Sequence, residues 1–364
     1  MAEYDINLEE ALGAAIEAAR KAGGIMWDFY QYRRETIATI ASKMQKDASD
    51  SVDVSSGTEA VNPSVSQLLD IKAKTSTTDL VTYYDKLCDE AIMNVLQQYS
   101  STVENQKRGA GYTSFRFGFI TEEICPDKQL EDVPTWIVDP IDGTMSFVHG
   151  SCDCCVSIGL TIKKETVLAV IYCPFLPSIN KNPPGPTSSG VYAGEMYTAI
   201  RGQGAFLNGR RIVVQTDTTQ DAAMVVFGYP MRPVLSAEER EKNSNDLEKA
   251  RKEKHCEMLD AAAHIRKKLA MCPVQGLRSY GACALILAFV ASGRIDLYME
   301  PSGKIWDVCA GNLLVTEAGG VVKNIWGDEF EMERTTTIIA GANEKLVSFA
   351  AEICNEVSYG RFWL

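Results

Sequence analysis

The sequence predicts an α+β fold built of layered helices and sheets, the sheets mixed or antiparallel. Three observations carry that expectation. Long segments with apolar residues at helical spacing recur from the N-terminus to the C-terminus. Glycine-punctuated β-rich runs in the middle of the chain read as antiparallel hairpins, which a purely parallel, doubly wound sheet would not contain. The chain has 364 residues, 46% of them hydrophobic, enough for a large core in one big domain or two lobes.

Residues 7–30 read as an amphipathic helix. Asn7 stands at the cap with Glu10 at the capping-box position, and Leu8, Leu12, Ile16, Ala19, Met26 and Phe29 form its apolar stripe. Residues 42–66, rich in Ser, Asp, Thr and Lys, read as a mobile surface loop. A second helix follows Asp85, with Leu87, Ala91, Val95 and Leu96 inward. Polar residues 103–114 read as another surface insertion. Phe115 to Thr121 reads as a strand with Glu122 and Glu123 at its end, and a further strand covers 135–139.

Cys155–Ile162 and Thr166–Cys173 are β-rich, and the Pro- and Ser-rich residues 177–190 make a loop. Met196–Arg201 and Ala205–Val214 then pair. Residues 236–271 form a charged helix that Ser236 and Glu239 would cap, its charges a solvated face. Strand-like Gly276–Tyr280 leads to a small-residue helix over 281–292, and strand-like Ile295–Met299 precedes Glu300. Trp306-Asp307 opens a helix that Gly319-Gly320 ends. A strand at 337–340 and a helix at 343–357 close the chain.

The formal net charge of −12 argues against nucleic-acid and anionic-membrane partners. No apolar run reaches the roughly 18 residues of a membrane span. The acidic N-terminus lacks a signal-peptide apolar core. Eleven cysteines scattered through apolar segments then read as reduced thiols of a cytoplasmic protein. Cys152-Asp153-Cys154-Cys155 has no second Cys/His pair at zinc spacing and reads as the start of a buried strand. Three histidines leave little material for His-based chemistry.

The chemistry concentrates in Trp136-Ile137-Val138-Asp139-Pro140-Ile141-Asp142-Gly143-Thr144. An apolar strand ends in two carboxylates three residues apart. Pro140 keeps Asp139 extended, and Gly143 allows close backbone approach to a ligand. A helix starting at Gly143-Thr144 would aim free N–H groups at the same point. Carboxylate oxygens hold hard cations and helix N-termini hold phosphate, so one stretch offers both. Asp79, Asp85, Glu122, Glu123 and Asp307 are the other candidate acids, several of them at element ends. Taken singly, each is an ordinary cap or surface acid. Converged, their mutual repulsion demands cations, and all-oxygen ligation selects Mg²⁺ or Mn²⁺ over zinc.

These residues resemble the inositol monophosphatases, Mg²⁺-dependent, lithium-sensitive phosphatases that share a fold with fructose-1,6-bisphosphatase. The resemblance rests on Lys74 with Asp79-Leu80-Val81-Thr82 and Asp85, Gly118 to Glu123, Trp136 to Thr144, and Trp306 to Gly311 followed by Glu317 to Gly320. Met196 to Ala199, Gly204 to Gly209 and Leu277 to Gly281 add to it. It implies one domain of two lobes in an α-β-α-β-α sandwich, with insertions near 42–68, 103–114, 177–190 and 236–256.

The resemblance also implies roles. Glu122, Asp139 and the Ile141 carbonyl would hold one Mg²⁺; Asp139, Asp142 and Asp307 would hold a second; a third would sit by Glu122 among waters. Substrate phosphate would rest on the ions and on the Gly143 and Thr144 N–H groups. Thr144, bonded to Asp85, would orient the attacking water, which makes Asp85, Thr144 and Glu122 the catalytic set. Asp142, Asp307, Glu300 and the backbone at Cys283 would also contact substrate. The implied reaction is hydrolysis of inositol monophosphate by in-line attack of a metal-activated water, and the implied assembly is a homodimer.

The chain departs from the family pattern at Met145-Ser146 (usually Thr-Asn), Ala282 (Thr), Cys283 (Ala) and Lys304 (often His). None of these is a metal ligand, and all border the substrate. A bisphosphate 3′-nucleotidase, an inositol polyphosphate 1-phosphatase, a histidinol-phosphate phosphatase and a non-catalytic phosphosugar-binding scaffold are the rival readings. Ile141, where nucleotidases more often have Leu, and the intact ligand set count against the first and the last.

Overall fold

Asn7 starts the chain's first helix as its sequence position predicts. Its Oδ1 accepts the N–H groups of Glu9 and Glu10 at 3.1 and 3.3 Å, and its amide donates to Glu10 Oε1 at 2.9 Å. The computed structural model describes residues 4–50, 72–73, 80–81, 83–107, 115–177, 194–228, 245–332 and 337–359. Among these the helices are α1 (Leu8–Asp50), α2 (Tyr83–Lys107), α3 (Thr144–His149), α4 (Asn245–Met271), α5 (Cys283–Ala291), α6 (Ile305–Glu317) and α7 (Glu344–Glu356).

A seven-stranded sheet holds β3 (Gly118–Thr121), β4 (Thr135–Asp142), β5 (Cys155–Ile162), β6 (Glu165–Cys173), β7 (Glu195–Ile200), β8 (Gly204–Leu207) and β9 (Arg210–Ile212), in that order. Only β3 and β4 pair in parallel there. A five-stranded sheet contains β10 (Met224–Phe227), β11 (Gly276–Arg278), β12 (Leu297–Glu300), β13 (Val321–Lys323) and β14 (Ile338–Gly341), in the order β11-β10-β12-β14-β13. In it β10 runs parallel to both neighbours and the other pairs are antiparallel. Two short strands, β1 (Lys72–Ala73) and β2 (Leu80–Val81), pair separately.

The layers follow from which faces are apolar. α1 and α2 bury Ala11, Ala15, Ala18, Ala22, Cys88 and Ile92 on one face of the seven-stranded sheet, against Trp136, Val138 and Ile158. α5 and α6 fill the space between the two sheets, and α7 with α4 lies beyond the five-stranded one. α5 is apolar all round, as a helix buried between sheets must be. The mixed sheets and five alternating layers are those the sequence implied.

Close helix contact in the middle layer depends on one glycine. A Cβ on Gly311 of α6 would fall against the Leu287 side chain of α5. Gly311→Ala is expected to cost about 1–3 kcal/mol of stability through overpacking, measured by urea unfolding.

Several boundaries differ from expectation. The expected loop at 42–66 is helical as far as Asp50. Neither Gly nor Pro interrupts residues 25–50, so nothing stops the helix at 30. Arg33, beyond the expected end, donates from Nε to the Val148 carbonyl at 3.0 Å and ties α1 to α3. The expected insertion at 103–114 begins as the last turn of α2, with Val103 buried. Residues 245–256 of another expected insertion belong to α4. Strands β10 and β13 were not expected. Each is a short run with no period-2 alternation to mark it. Lys74, Asp79, most of 177–190, and Ser236 with Glu239 lie outside the described residues.

Candidate active site

The site begins with an irregularity in β4. Residues three apart on a regular strand point to opposite faces. Here Asp139 pairs with Ser157 and Asp142 with Cys155, so three steps on β4 match two on β5. This bulge resets the alternation and brings both carboxylates to one side. Pro140 lies inside it, where its lack of an N–H costs no ladder bond. The strand thus continues through Asp142 rather than ending at Asp139. Asp139 Oδ1 accepts the Ile141 N–H at 3.0 Å, which fixes the turn.

Asp307, in the first turn of α6, closes the group. Oxygens of Asp139, Asp142 and Asp307 all lie within 4.8 Å of one another. Asp307 Oδ2 accepts the Lys304 N–H at 2.6 Å, an N-terminal capping contact that fixes its rotamer. Asp142 accepts the N–H groups of Cys283 and Ala284 at 3.2 and 2.6 Å, so the start of α5 holds it from behind. The Cys155 thiol also reaches Asp142 Oδ2, at 3.7 Å.

The electrostatics are those of crowded, buried anions. Burial and then the charges of Glu122, Asp142 and Asp307 push Asp139 well above the carboxylate range. Burial and Asp307 push Asp142 up, against the two N–H groups that favour its charged form. Asp307 is raised to about 7, mainly by burial. The contact between the Asp139 and Asp307 side chains raises Asp139 and lowers Asp307, which favours a proton on Asp139. Three carboxylates, two of them buried, fit a hard divalent cation as replacement for that proton.

Glu122 follows β3 and is not in the 4.8 Å group, but its charge raises Asp139 and Asp307. Thr144, first residue of α3, donates to Asp85 Oδ1 at 3.3 Å or to the Ile141 carbonyl at 3.2 Å. Asp85 is buried in the first turn of α2. Gly143 caps α3 at φ 86°, a left-handed conformation. Glu300, at the end of β12, accepts from Tyr298 Oη at 2.8 Å and from the Ser302 N–H at 2.9 Å. Burial raises its pKa against those bonds. A Cβ on Gly228, just after β10, would fall on the Glu300 carboxylate, so glycine there leaves room for its present rotamer.

The structure therefore draws together Asp85, Asp139, Ile141, Asp142, Thr144, Cys283 and Asp307 by direct contact, and Glu122 by its field. Sequence reasoning missed Ala284, Cys155, Tyr298 and Gly228. Tyr298 stands two residues from Glu300 on one strand face, a signal that could have been read. Gly228 and Cys155 depend on pairing between neighbouring strands of one sheet, which spacing alone does not reveal.

A family model described as "Inositol monophosphatase family" matches residues 7–358. Inositol monophosphatase 3 of Solanum lycopersicum is 35% identical over 280 residues, 76% of this chain and 85% of that protein. Inositol monophosphatase 1 of Homo sapiens is 29% identical over 300 residues, 81% and 88% of the two chains. Among solved structures, the extragenic suppressor protein suhB from Bartonella henselae superposes with a TM-score of 0.62 at 26% identity, over 94% of this chain and 98% of its own. The Thermotoga maritima IMPase shares the fold at 20% identity, also with a TM-score of 0.62, over 96% and 99%.

Proposed function

The chain belongs to the inositol monophosphatase family, and from that premise we propose that it hydrolyses inositol monophosphate to inositol and phosphate, using Mg²⁺. The observation that carries the reading is the convergence of Asp139, Asp142 and Asp307 from two distant segments, oxygens within 4.8 Å, beside Gly143 and Thr144. The family is one of divalent-metal enzymes. When bound, the ions neutralise the phosphate and make a coordinated water acidic. Asp139, Asp142 and Asp307 would hold them, with Glu122 and the Ile141 carbonyl completing the shell.

The protein's own groups do the rest. Gly143, with no side chain, lets the phosphate approach its backbone and that of Thr144. The Thr144 hydroxyl, held against Asp85, orients the attacking water for in-line displacement. Glu300 accepts a hydroxyl of the polyol, and the backbone at Cys283 lies along its ring. Phosphoryl transfer needs mainly positioning and charge neutralisation, which this set provides. Thr144→Val keeps the shape but removes the hydroxyl. It is expected to lower kcat by about 10²-fold or more with little change in KM, measured by steady-state phosphate release.

The decisive experiment is a phosphate-release screen over inositol monophosphates, inositol polyphosphates, nucleoside 3′,5′-bisphosphates, fructose bisphosphate and histidinol phosphate, with Mg²⁺, Mn²⁺ or chelator. Strongest turnover of inositol monophosphate with Mg²⁺ is expected, with inhibition by Li⁺. Preference for a nucleoside bisphosphate would transfer the site to the nucleotidase reading, and release from no substrate would transfer it to the binding-protein one. We extend the same reading to a cytoplasmic homodimer. All eleven cysteines are free, which suits a reducing compartment, and a molar mass of twice 40.0 kDa in light scattering is the expected outcome.

A further inference from the structure

We propose that Asp89 is a positioning residue for Glu122: from α2 it holds the turn Thr121–Cys125 and so sets where Glu122 presents its carboxylate. The proposal rests on the reading of Glu122 as a metal ligand.

The turn after β3 has little apolar packing of its own. Glu122 and Glu123 are half-buried, and Ile124 is 48% exposed. Its placement therefore comes from hydrogen bonds. The Glu122 N–H donates to the Val138 carbonyl of β4 at 3.2 Å. The Cys125 N–H donates to the Thr121 carbonyl and to Thr121 Oγ1, both at 3.2 Å. The Ile124 N–H is shared between Thr121 Oγ1 and Asp89 Oδ2, each at 3.1 Å. The Asp89 bond reaches outside the turn to another layer of the fold.

Asp89 is fully buried, with Oδ1 sealed from solvent. Burial raises its carboxyl to about 6, the Glu123 charge adds to the rise, and bonds from Thr121 and from the Ile124 and Glu123 N–H groups oppose it. A buried acid costs stability that an apolar residue would not, which is consistent with a geometric use. Its anchor is firm. The adjacent Cys88 thiol donates to the Ala22 carbonyl at 3.6 Å and ties α2 to α1. Asp85 lies one turn earlier on the same helix face and holds Thr144. One helix face thus fixes both the catalytic hydroxyl and the turn that carries Glu122.

The test is Mn²⁺ binding to the full-length protein, followed by calorimetry and by electron paramagnetic resonance, for wild type, Asp89→Asn and Asp89→Leu. The Asn oxygen still accepts the Ile124 N–H, so Asp89→Asn is expected to bind within about threefold of wild type. Asp89→Leu lacks the acceptor and is expected to bind about 10–100-fold more weakly, the usual effect of losing an outer-shell partner. Its kcat at saturating Mg²⁺ should stay within a few-fold of wild type, whereas general structural damage would lower kcat as well. Wild-type Mn²⁺ affinity in Asp89→Leu overturns the proposal, and so does an equal loss in Asp89→Asn, which would make the charge and not the bond responsible. Should Asp89→Leu fail to fold, Asp89→Ala removes the same acceptor without adding bulk and is expected to weaken Mn²⁺ likewise; unchanged affinity there overturns the proposal too. Absence of Mn²⁺ binding by wild type itself would refute the metal reading of Glu122 instead.

Discussion

Asp139→Asn is expected to lower kcat/KM by about 10³-fold or more while making the metal-free protein more stable above neutral pH. The loss follows from its place in the group: Asp139 is proposed to hold the metal together with Asp142 and Asp307, and about 4 kcal/mol of transition-state stabilisation corresponds to three orders of magnitude. The gain follows from the crowding of like charges. Asp139 is raised by burial and by Glu122, Asp142 and Asp307, and Asp307 titrates at about 7. An acid whose folded pKa lies above its unfolded value of about 4 keeps its proton longer in the folded state. Stability from the protonated cluster is thus full below about pH 4 and is lost as pH rises toward and past 7. An asparagine cannot ionise, so the variant should lose less. Calorimetric melts in chelator at pH 5 and pH 8 measure this; Mg²⁺ should then raise the wild-type melting temperature more than the variant's. Near-normal turnover by the variant with Mg²⁺ would end the metal assignment.

Asp139 and Asp142 also mark how far the sequence could be read. The types and spacing of Trp136 to Thr144 are local, and local patterns survive into structure: an apolar strand, an extended residue before Pro140, a left-handed glycine, a helix. What spacing cannot show is the bulge against Cys155 and Ser157, since it depends on a partner strand. The same limit applies to Asp142's support from the Cys283 and Ala284 N–H groups, 141 and 142 residues away. Asp307 was legible as a helix-start acid, but only the resemblance placed it beside β4. Boundaries failed where composition misled: Ser, Asp and Lys at 42–50 look loop-like, yet nothing there breaks a helix. Strands β10 and β13 escaped because Met224–Phe227 and Val321–Lys323 are short and show no period-2 alternation.

Gly143→Ala is expected to cost about 10²-fold in kcat while leaving divalent-metal binding largely in place. The φ of 86° is strained for any residue with a Cβ, by about 1–2 kcal/mol. A Cβ there would also lie 2.6 Å from the Asp153 carbonyl oxygen, 3.0 Å from Ala282 Cβ and 3.3 Å from Cys154 Cα. Two of those obstacles are backbone at the entrance to β5, and the third is a buried residue at the start of α5, so none can rotate away. The shift falls on Gly143 and Thr144 themselves. That moves the N–H groups proposed to receive phosphate and pulls the Thr144 hydroxyl from its 3.3 Å contact with Asp85. A displacement of about 1 Å at a reacting centre is worth roughly 10² in rate. Gly202→Ala separates strain from geometry: its φ is 79°, but an added Cβ there meets nothing within 4 Å. It should lose a similar share of stability with kcat unchanged. Equal kcat losses in the two variants would mean that Gly143 matters only for folding, and a wild-type kcat in Gly143→Ala would remove it from the phosphate site.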